Sequence, residues 1–409
     1  MNVQRYRFVD RVFGTPICAA LSLYDRIRRR KAATRPRKIL VILLSEMGSQ
    51  VLAWPMFARL KQRYPQASLH VLLFARNRET VELLGLAPSE NVLALDDRSF
   101  WRLMRGTVRI LLALRSLRPD VAIDCELFAR LSCILSYLSG APVRVGFHRF
   151  TQEGLYRGSF INRPVLYNPY RHIAGQFVTL AEAIESTGVP SAKCESVVTA
   201  GSPEANSLGV TEIRQRIAQF HRDFPSMRDN PLVLMYASGG ILPIRAWPIQ
   251  HFQALATNLI EQGYAVGIIG LASDAPQAES IVRHCGIAHC VNLCGYTESV
   301  RHLLALYHRA SLLIANDGAP GQFAALTALP TILLFGPETP SLYAPLAANV
   351  HPMYLGLSCS PCLTAYNHRN SPCDGDNQCL KRITVESVLR KVNELLAEPV
   401  LARSLEVGG

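Results

Sequence analysis

The stretch that decides the fold is KILVILLSEMGSQVLAWPMFARLKQRYP, residues 38–65. After Lys38, its next six residues form an unbroken apolar run, bounded by Ser45 and Gly48. A run of that length, closed by small residues, reads as a strand buried on both faces of a parallel sheet. Beyond the loop, Val51, Met56, Leu60 and Tyr64 recur at helical spacing. Strand, short loop and helix is the opening unit of a doubly wound α/β domain.

The alternation continues outward from there. Strands are predicted over 68–75 (SLHVLLFA), 91–96 (NVLALD) and 118–126 (RPDVAIDCE), with helices over 77–86 and 100–117. After a less regular middle the pattern restarts. PLVLMYA (231–237), YAVGIIG (264–270), HCVNLCG (289–295), SLLIAND (311–317) and PTILLFGP (330–337) read as strands, with helices between them over 249–262, 299–310 and 320–329. The loop-like segments GSPEANS and HRDFPSMRDN place the boundary within 190–230. The expected division is a basic arm over 1–36, a Rossmann-like domain over 37–210, a second over 211–395, and a tail over 396–409. Two such domains would face a central cleft. Ligands bind beyond the carboxyl ends of parallel strands, so function belongs in the loops that follow them.

The 409 residues carry a net charge of +12, and residues 1–38 alone carry +9 of it. A basic end on a near-neutral body points to an anionic surface such as a membrane rather than to nucleic acid, which requires a basic face on a recognisable module. The apolar run Val12–Tyr24 has 13 residues, against about 20 needed to span a bilayer. The basic segment RIRRRKAATRPRK that follows it opposes export. An interfacial helix presenting Phe8, Val12, Phe13, Ile17 and Leu21 is expected. The alternative is a helix that merely packs on the protein body. Eleven cysteines, an odd number mostly on apolar segments, suit a reduced, cytoplasmic chain.

Three loops offer chemistry. In SEMGSQ (45–50), Gly48 permits a tight turn and Glu46 is the only ionisable side chain. Glu46 is either a general base or a solvated capping carboxylate. In the second loop, Ser238, Gly239 and Gly240 allow close approach to phosphate oxygens. Arg245 stands just before the helix that Trp247 and Pro248 introduce, where its forked donors suit a diphosphate. The plain alternative is a turn with a surface arginine. In the third loop, Asp317, Gly318, Ala319 and Gln322 lie between strand and helix. Asp317 and Gln322 could serve sugar hydroxyls, and Asp317 could equally cap the helix. None of these loops is a GxGxxG or Walker A sequence.

In combination they resemble glycosyltransferase family 9, the bacterial heptosyltransferases. The resemblance runs through residues 38–65, through 117–147 with Arg144 and Gly146, through ASGGILPIRAWPIQHFQALATNL (237–259), and most specifically through 292–346. It implies the GT-B fold and an inverting transfer of heptose or a related sugar. The donor would be an ADP-sugar and the acceptor lipopolysaccharide core or another cell-envelope glycan. No cofactor would be required for catalysis, and the enzyme would sit on the cytoplasmic face of the inner membrane. Two departures matter. The family's first-loop Asp, its expected base, is Ser49 here, so Glu46 would have to replace it, or a carboxylate from elsewhere such as Asp124 or Glu126, or activity is lost. The family's third-loop histidine is Gln322. A non-catalytic sugar-nucleotide or glycan-binding relative and a GT-B nucleotide-sugar epimerase are the rival readings.

Cys359, Cys362, Cys373 and Cys379 form a cluster in a loop rich in Asn, Gly and Pro. One CxxC with two looser partners offers four ligands for a structural zinc. Free thiols or disulfides are the alternative.

Overall fold

The computed structural model describes residues 3–27, 35–44, 47–127, 129–147, 156–186, 208–286, 288–364 and 370–397. The candidate base Glu46, the basic residues Arg28–Lys31 and residues 190–207 of the boundary segment fall outside these. The chain divides into two packing units. One comprises Met1–Asn206 with Ser341–Tyr343 and Leu363–Ser371; the other comprises the remainder.

In the first unit the strands are β1 (Lys38–Ile42), β2 (Ser68–Phe74), β3 (Val92–Leu95), β4 (Val121–Asp124), β5 (Val143–Phe147) and β6 (Arg163–Val165). The helices are α1 (Val3–Ile27), α2 (Met47–Arg63), α3 (Arg78–Leu83), α4 (Phe100–Leu117), α5 (Arg130–Leu138) and α6 (Ile173–Glu182). All strand pairs are parallel, in the order β3-β2-β1-β4-β5-β6. The order reverses between β1 and β4. β1 is sealed because Ile39, Leu40, Val41 and Ile42 are all buried, as its unbroken apolar run requires.

In the second unit the strands are β7 (Leu232–Tyr236), β8 (Ala265–Gly270), β9 (Cys290–Cys294), β10 (Ala310–Asn316), β11 (Thr331–Leu334) and β12 (Val350–Met353). The helices are α7 (Val210–Asp223), α8 (Ile249–Glu261), α9 (Ala275–Cys285), α10 (Val300–Arg309), α11 (Ala319–Ala324), α13 (Gln378–Lys381) and α14 (Val385–Ala397); the short α12 (Pro340–Tyr343) lies between β11 and β12 in the chain, and its Ser341–Tyr343 group with the first unit. The sheet is again parallel, ordered β12-β11-β10-β7-β8-β9. Read from the other edge this is the same topology, with its reversal between β7 and β10. Trp247, Phe252, Leu255, Ile268, Ile314 and Val388 meet in its core. The helix expected over 320–329 ends at Ala324. β5, β6 and the helices of the middle region were not legible from periodicity.

Of the stripe expected to be presented, the N-terminal helix exposes Phe8, Val12, Phe13 and Ile17 and half-buries Leu21. Its inward side is small and polar: Gly14, Cys18 and Ser22 are buried. Asp10 pairs with Arg130 at 3.1 Å, and Asp25 with Arg144 at 2.8 Å. Arg144 and Arg130 are both buried, so these two pairs clamp the helix near its two ends. Among the described residues no helix is long and apolar enough to cross a membrane.

Candidate functional site

The site is built where each parallel sheet reverses its strand order, since two loops diverge there and leave a crevice at the carboxyl ends. In the second unit the crevice lies between β7 and β10. Asn316, the last residue of β10, holds its two walls together. Its Oδ1 accepts from the Trp247 N–H at 3.0 Å. Its Nδ2 donates to the carbonyls of Ala237 at 3.0 Å and Ser238 at 3.2 Å. Asn316 is fully buried, so these bonds replace all contact with water. Sequence reasoning assigned it nothing. The available signal was a single amide ending an otherwise apolar buried strand.

The loop after β7 is shaped by its glycines. Gly240 has φ of +61°, a conformation open to glycine at little cost. A Cβ on Gly239 would come within 2.7 Å of the Leu242 carbonyl oxygen, so only glycine lets the turn close. Ser238 locks the turn: its Oγ accepts from the Gly240 N–H at 3.1 Å and donates to Asp274 Oδ1 at 2.9 Å. Asp274 follows β8 and was also missed in sequence. After Gly240 the chain makes a single tight turn over Pro243–Arg245 before α8 begins at Ile249.

Arg245 is not a surface arginine. It is 6% exposed and stands between two buried carboxylates. Its Nη2 lies 3.2 Å from Glu338 Oε2 and its Nε 3.8 Å from Asp317 Oδ2. Glu338 follows β11 and Asp317 follows β10. Three adjacent strands, β7, β10 and β11, thus bring one guanidinium and two carboxylates to one end of the sheet. Carboxylates on both sides fix the orientation of a planar fork. Gly318, Ala319 and Gln322 occupy the start of α11; Gln322 is buried and its N–H donates to the Gly318 carbonyl at 3.3 Å. Tyr236 packs beneath both loops, its ring within 3.5 Å of where a Gly318 Cβ would lie and its hydroxyl within 3.3 Å of a Gly240 Cβ.

In the first unit the crevice lies between β1 and β4. Ser49 is half-buried in the first turn of α2, with Gly48 and Gln50 buried beside it. Gln50 is fully buried, and neither of its amide atoms has a hydrogen-bond partner among the described residues. Such an amide costs about 1–3 kcal/mol per unsatisfied group. Asp124 is corrected as a reserve base. It is fully buried and paired with Arg157, itself buried. Burial pushes the Asp124 carboxyl up while Arg157 pulls it the other way. Arg157 also donates to Ser132 Oγ at 3.1 Å and to the Ala129 carbonyl at 3.1 Å. A carboxylate so enclosed closes the end of β4 and cannot reach an acceptor hydroxyl. Glu126 lies just beyond it, and its backbone N–H donates to Asp124 Oδ1 at 3.1 Å.

The four-cysteine zinc site is not formed among the described residues, where no group of three or more His, Cys, Asp or Glu could hold a metal. Cys359 and Cys373 are exposed and Cys379 is buried. Burial first, then the neighbouring Cys362 and Cys359, push the Cys379 thiol up to about 11. Its sulfur would lie 3.0 Å from a Cβ on Gly336, so it packs as a small apolar group against the end of β11.

Two parallel sheets of this order, each with a loop-lined reversal, define the GT-B glycosyltransferase fold. The chain belongs to glycosyltransferase family 9 (heptosyltransferase), whose family model matches residues 108–371, more than half of its length. It is 25% identical over 373 residues to lipopolysaccharide heptosyltransferase 2 of Salmonella typhimurium, covering 88% of this chain and 99% of that one. It is 26% identical over 376 residues to lipooligosaccharide heptosyltransferase 2 of Haemophilus ducreyi, with the same coverage of 88% and 99%. The structure of E. coli ADP-heptose LPS heptosyltransferase II superposes with a TM-score of 0.69 at 22% identity, covering 88% of this chain and 98% of that one. E. coli heptosyltransferase WaaC with ADP gives 0.59 at 16% identity, covering 88% and 99%. The protein is therefore a heptosyltransferase-like glycosyltransferase.

Proposed function

We propose that the protein transfers heptose or a closely related sugar, with inversion, from an ADP-sugar to lipopolysaccharide core or another envelope glycan. The observation that carries this is the second unit's strand-end constellation, with Arg245 held between Asp317 and Glu338 beside the glycine turn at Ser238–Gly240. In this reading Arg245 meets the diphosphate. The Ser238–Gly240 turn lets phosphate oxygens approach the backbone, and Asp317, Gly318, Ala319 and Gln322 orient the sugar. The relatives' own names support the donor and acceptor: one solved relative is described with ADP, and the curated ones act on lipopolysaccharide or lipooligosaccharide.

The chemistry is a direct displacement. Glu46 takes the proton of an acceptor hydroxyl, whose oxygen attacks the anomeric carbon from the face opposite the diphosphate. The bond to the diphosphate breaks, and its charge develops against Arg245. Ser49, three residues after Glu46 in the sequence, hydrogen-bonds the acceptor rather than accepting its proton, because an unaided hydroxyl is too weak a base. The N-terminal helix holds the enzyme at the inner-membrane surface where the acceptor resides.

A second reading, a donor-binding protein without transfer, is favoured by Ser49 at the family's Asp position. One experiment separates the readings: ADP release and product structure with ADP-heptose and a truncated lipopolysaccharide core, comparing wild type with Glu46→Gln. Transfer with inverted anomeric configuration, lost in the variant, is expected. Donor binding without product supports the second reading. A free isomerised sugar would indicate an epimerase instead, and full activity in Glu46→Gln removes Glu46 as the base.

A further inference from the structure

Two helices of the first unit face outward with their apolar sides. On α1, the exposed residues include Phe8 at 67%, Phe13 at 62%, Leu23 at 64% and Ile27 at 80%, while its small and polar side packs inward. On α4 the pattern is sharper. Ile110 and Leu114 enter the core with Leu135, and Leu131 packs against that cluster. On the opposite side, Trp101, Met104, Val108 and Leu112 follow one another at intervals of three and four residues. They are exposed at 80%, 48%, 57% and 62%. A soluble helix turns such a stripe into the core. α4 has one stripe in the core and a second one out.

The charge on α4 is one-sided as well. Arg102, Arg105, Arg109 and Arg115 are all exposed, and the helix FWRLMRGTVRILLALRSL contains no acidic residue. Arg102 is bound to Asp96, at 3.3 Å, just before the helix. Arg105, Arg109 and Arg115 flank the apolar stripe. Both helices pack on α5: α4 through Leu131 and Leu135, and α1 through Cys18, whose sulfur lies 3.7 Å from that of Cys133, and through Asp10 to Arg130. They therefore belong to one layer of the first unit.

From this we infer that α4 is a second membrane-docking element, alongside α1, and that its partner is the surface of a bilayer containing anionic phospholipid. Trp101, Met104, Val108 and Leu112 enter the boundary between headgroups and acyl chains, and Arg105, Arg109 and Arg115 meet lipid phosphates. A second copy of the chain is a poorer occupant. A twofold contact sets the same patch against itself, which would oppose the arginines of two α4 helices without a carboxylate on either. No helix among the described residues can span the membrane, so the contact is interfacial. This inference rests on the envelope reading for the membrane concerned, and on α4 itself for the site.

The test uses the full chain with vesicles of phosphatidylcholine, with and without phosphatidylglycerol. Of the three tryptophans, Trp247 is buried and Trp54 half-buried, so Trp101 reports contact directly. Expected are a blue shift of emission on phosphatidylglycerol vesicles that Trp101→Phe abolishes, and flotation that weakens with salt. Replacing Trp101, Met104, Val108 and Leu112 by Ser should lower the bound fraction about tenfold or more, as should Arg105, Arg109 and Arg115 to Gln. Thermal unfolding and transfer to a soluble acceptor fragment should stay at wild-type levels in both. Two results overturn the inference. In the first, both α4 variants float like wild type while Phe8, Phe13 and Ile17 to Ser does not. In the second, wild type ignores vesicles and self-associates through α4, as shown by a dimer lost in the Ser variant. Vesicle binding without sugar transfer would refute the proposed activity and leave α4's role standing.

Discussion

At the end of β4, one carboxylate meets one guanidinium; at the ends of β7, β10 and β11, one guanidinium meets two carboxylates. The two sheets have the same strand order, yet their buried charges are arranged for different ends. Asp124 and Arg157 form a neutral pair, sealed from solvent and bonded to Ser132 and a backbone carbonyl. Such a pair closes a structure and offers nothing to a ligand. Arg245 is held on two sides by Glu338 and Asp317, next to a glycine turn that Ser238 locks. Two flanking carboxylates aim a fork, and in the proposed function the small residues beside it leave room for phosphate. Burial of charge does not mark a site by itself. The stoichiometry of the charges and the size of the neighbouring residues do.

The comparison is open to attack first at its structural end. Arg157→Ala leaves Asp124 buried without its counter-charge, and a loss of about 3–5 kcal/mol is expected. It would be measured by urea unfolding, with donor affinity in the folded fraction unchanged. At the other sheet, Arg245→Lys keeps the charge but loses the planar fork. Turnover of the ADP-sugar should fall about 100-fold, equivalent to roughly 2.7 kcal/mol, with the larger share in kcat. A purely thermal effect with normal kinetics would make Arg245 a second Asp124–Arg157 pair and dissolve the distinction.

Asn316→Ala removes three bonds that join the loop after β7 to the end of β10. About 2 kcal/mol of stability should go, with a raised KM for donor, because the donor loops lose their shared anchor. A stability loss without a KM change would separate the anchor from the site. The smallest effect belongs to a half-buried pair at the surface. Glu212 on α7 bonds Arg301 on α10 at 2.9 Å, and Arg301 lowers the Glu212 carboxyl below its usual range. A folded-state pKa below the unfolded one gives stability that is present above the unfolded value and is lost as pH falls through the folded one. The loss below about pH 4.5 should be under about 1 kcal/mol, since solvent screens the pair. Glu212→Gln should flatten that limb of the pH–stability curve.

Most of the fold was legible before any coordinates. The buried strands near 38, 68, 231, 264, 311 and 331 announce themselves as apolar runs, and α4 was delimited correctly because its caps and period agree. β5 and β6 were missed: β5 carries Arg144 as its second residue and β6 is three residues long, so neither shows a run. The helices of the middle region lack a loop signal strong enough to separate them.

What the sequence determined by itself was the pair of doubly wound folds, the loops at their strand ends and the family they belong to. These are local properties, since apolar period, glycine placement and residue identity can be read in one dimension. Only the tertiary structure decided which charges meet. It turned Asp124 from a reserve base into a structural partner of Arg157, brought Glu338 to Arg245 across 93 positions, and made Asn316 the anchor of two loops. It also decided which side of a helix faces out. An apolar stripe on α4 has the same spacing whether it meets a core or water, and only the packing of α5 against the other side shows that this one was left exposed.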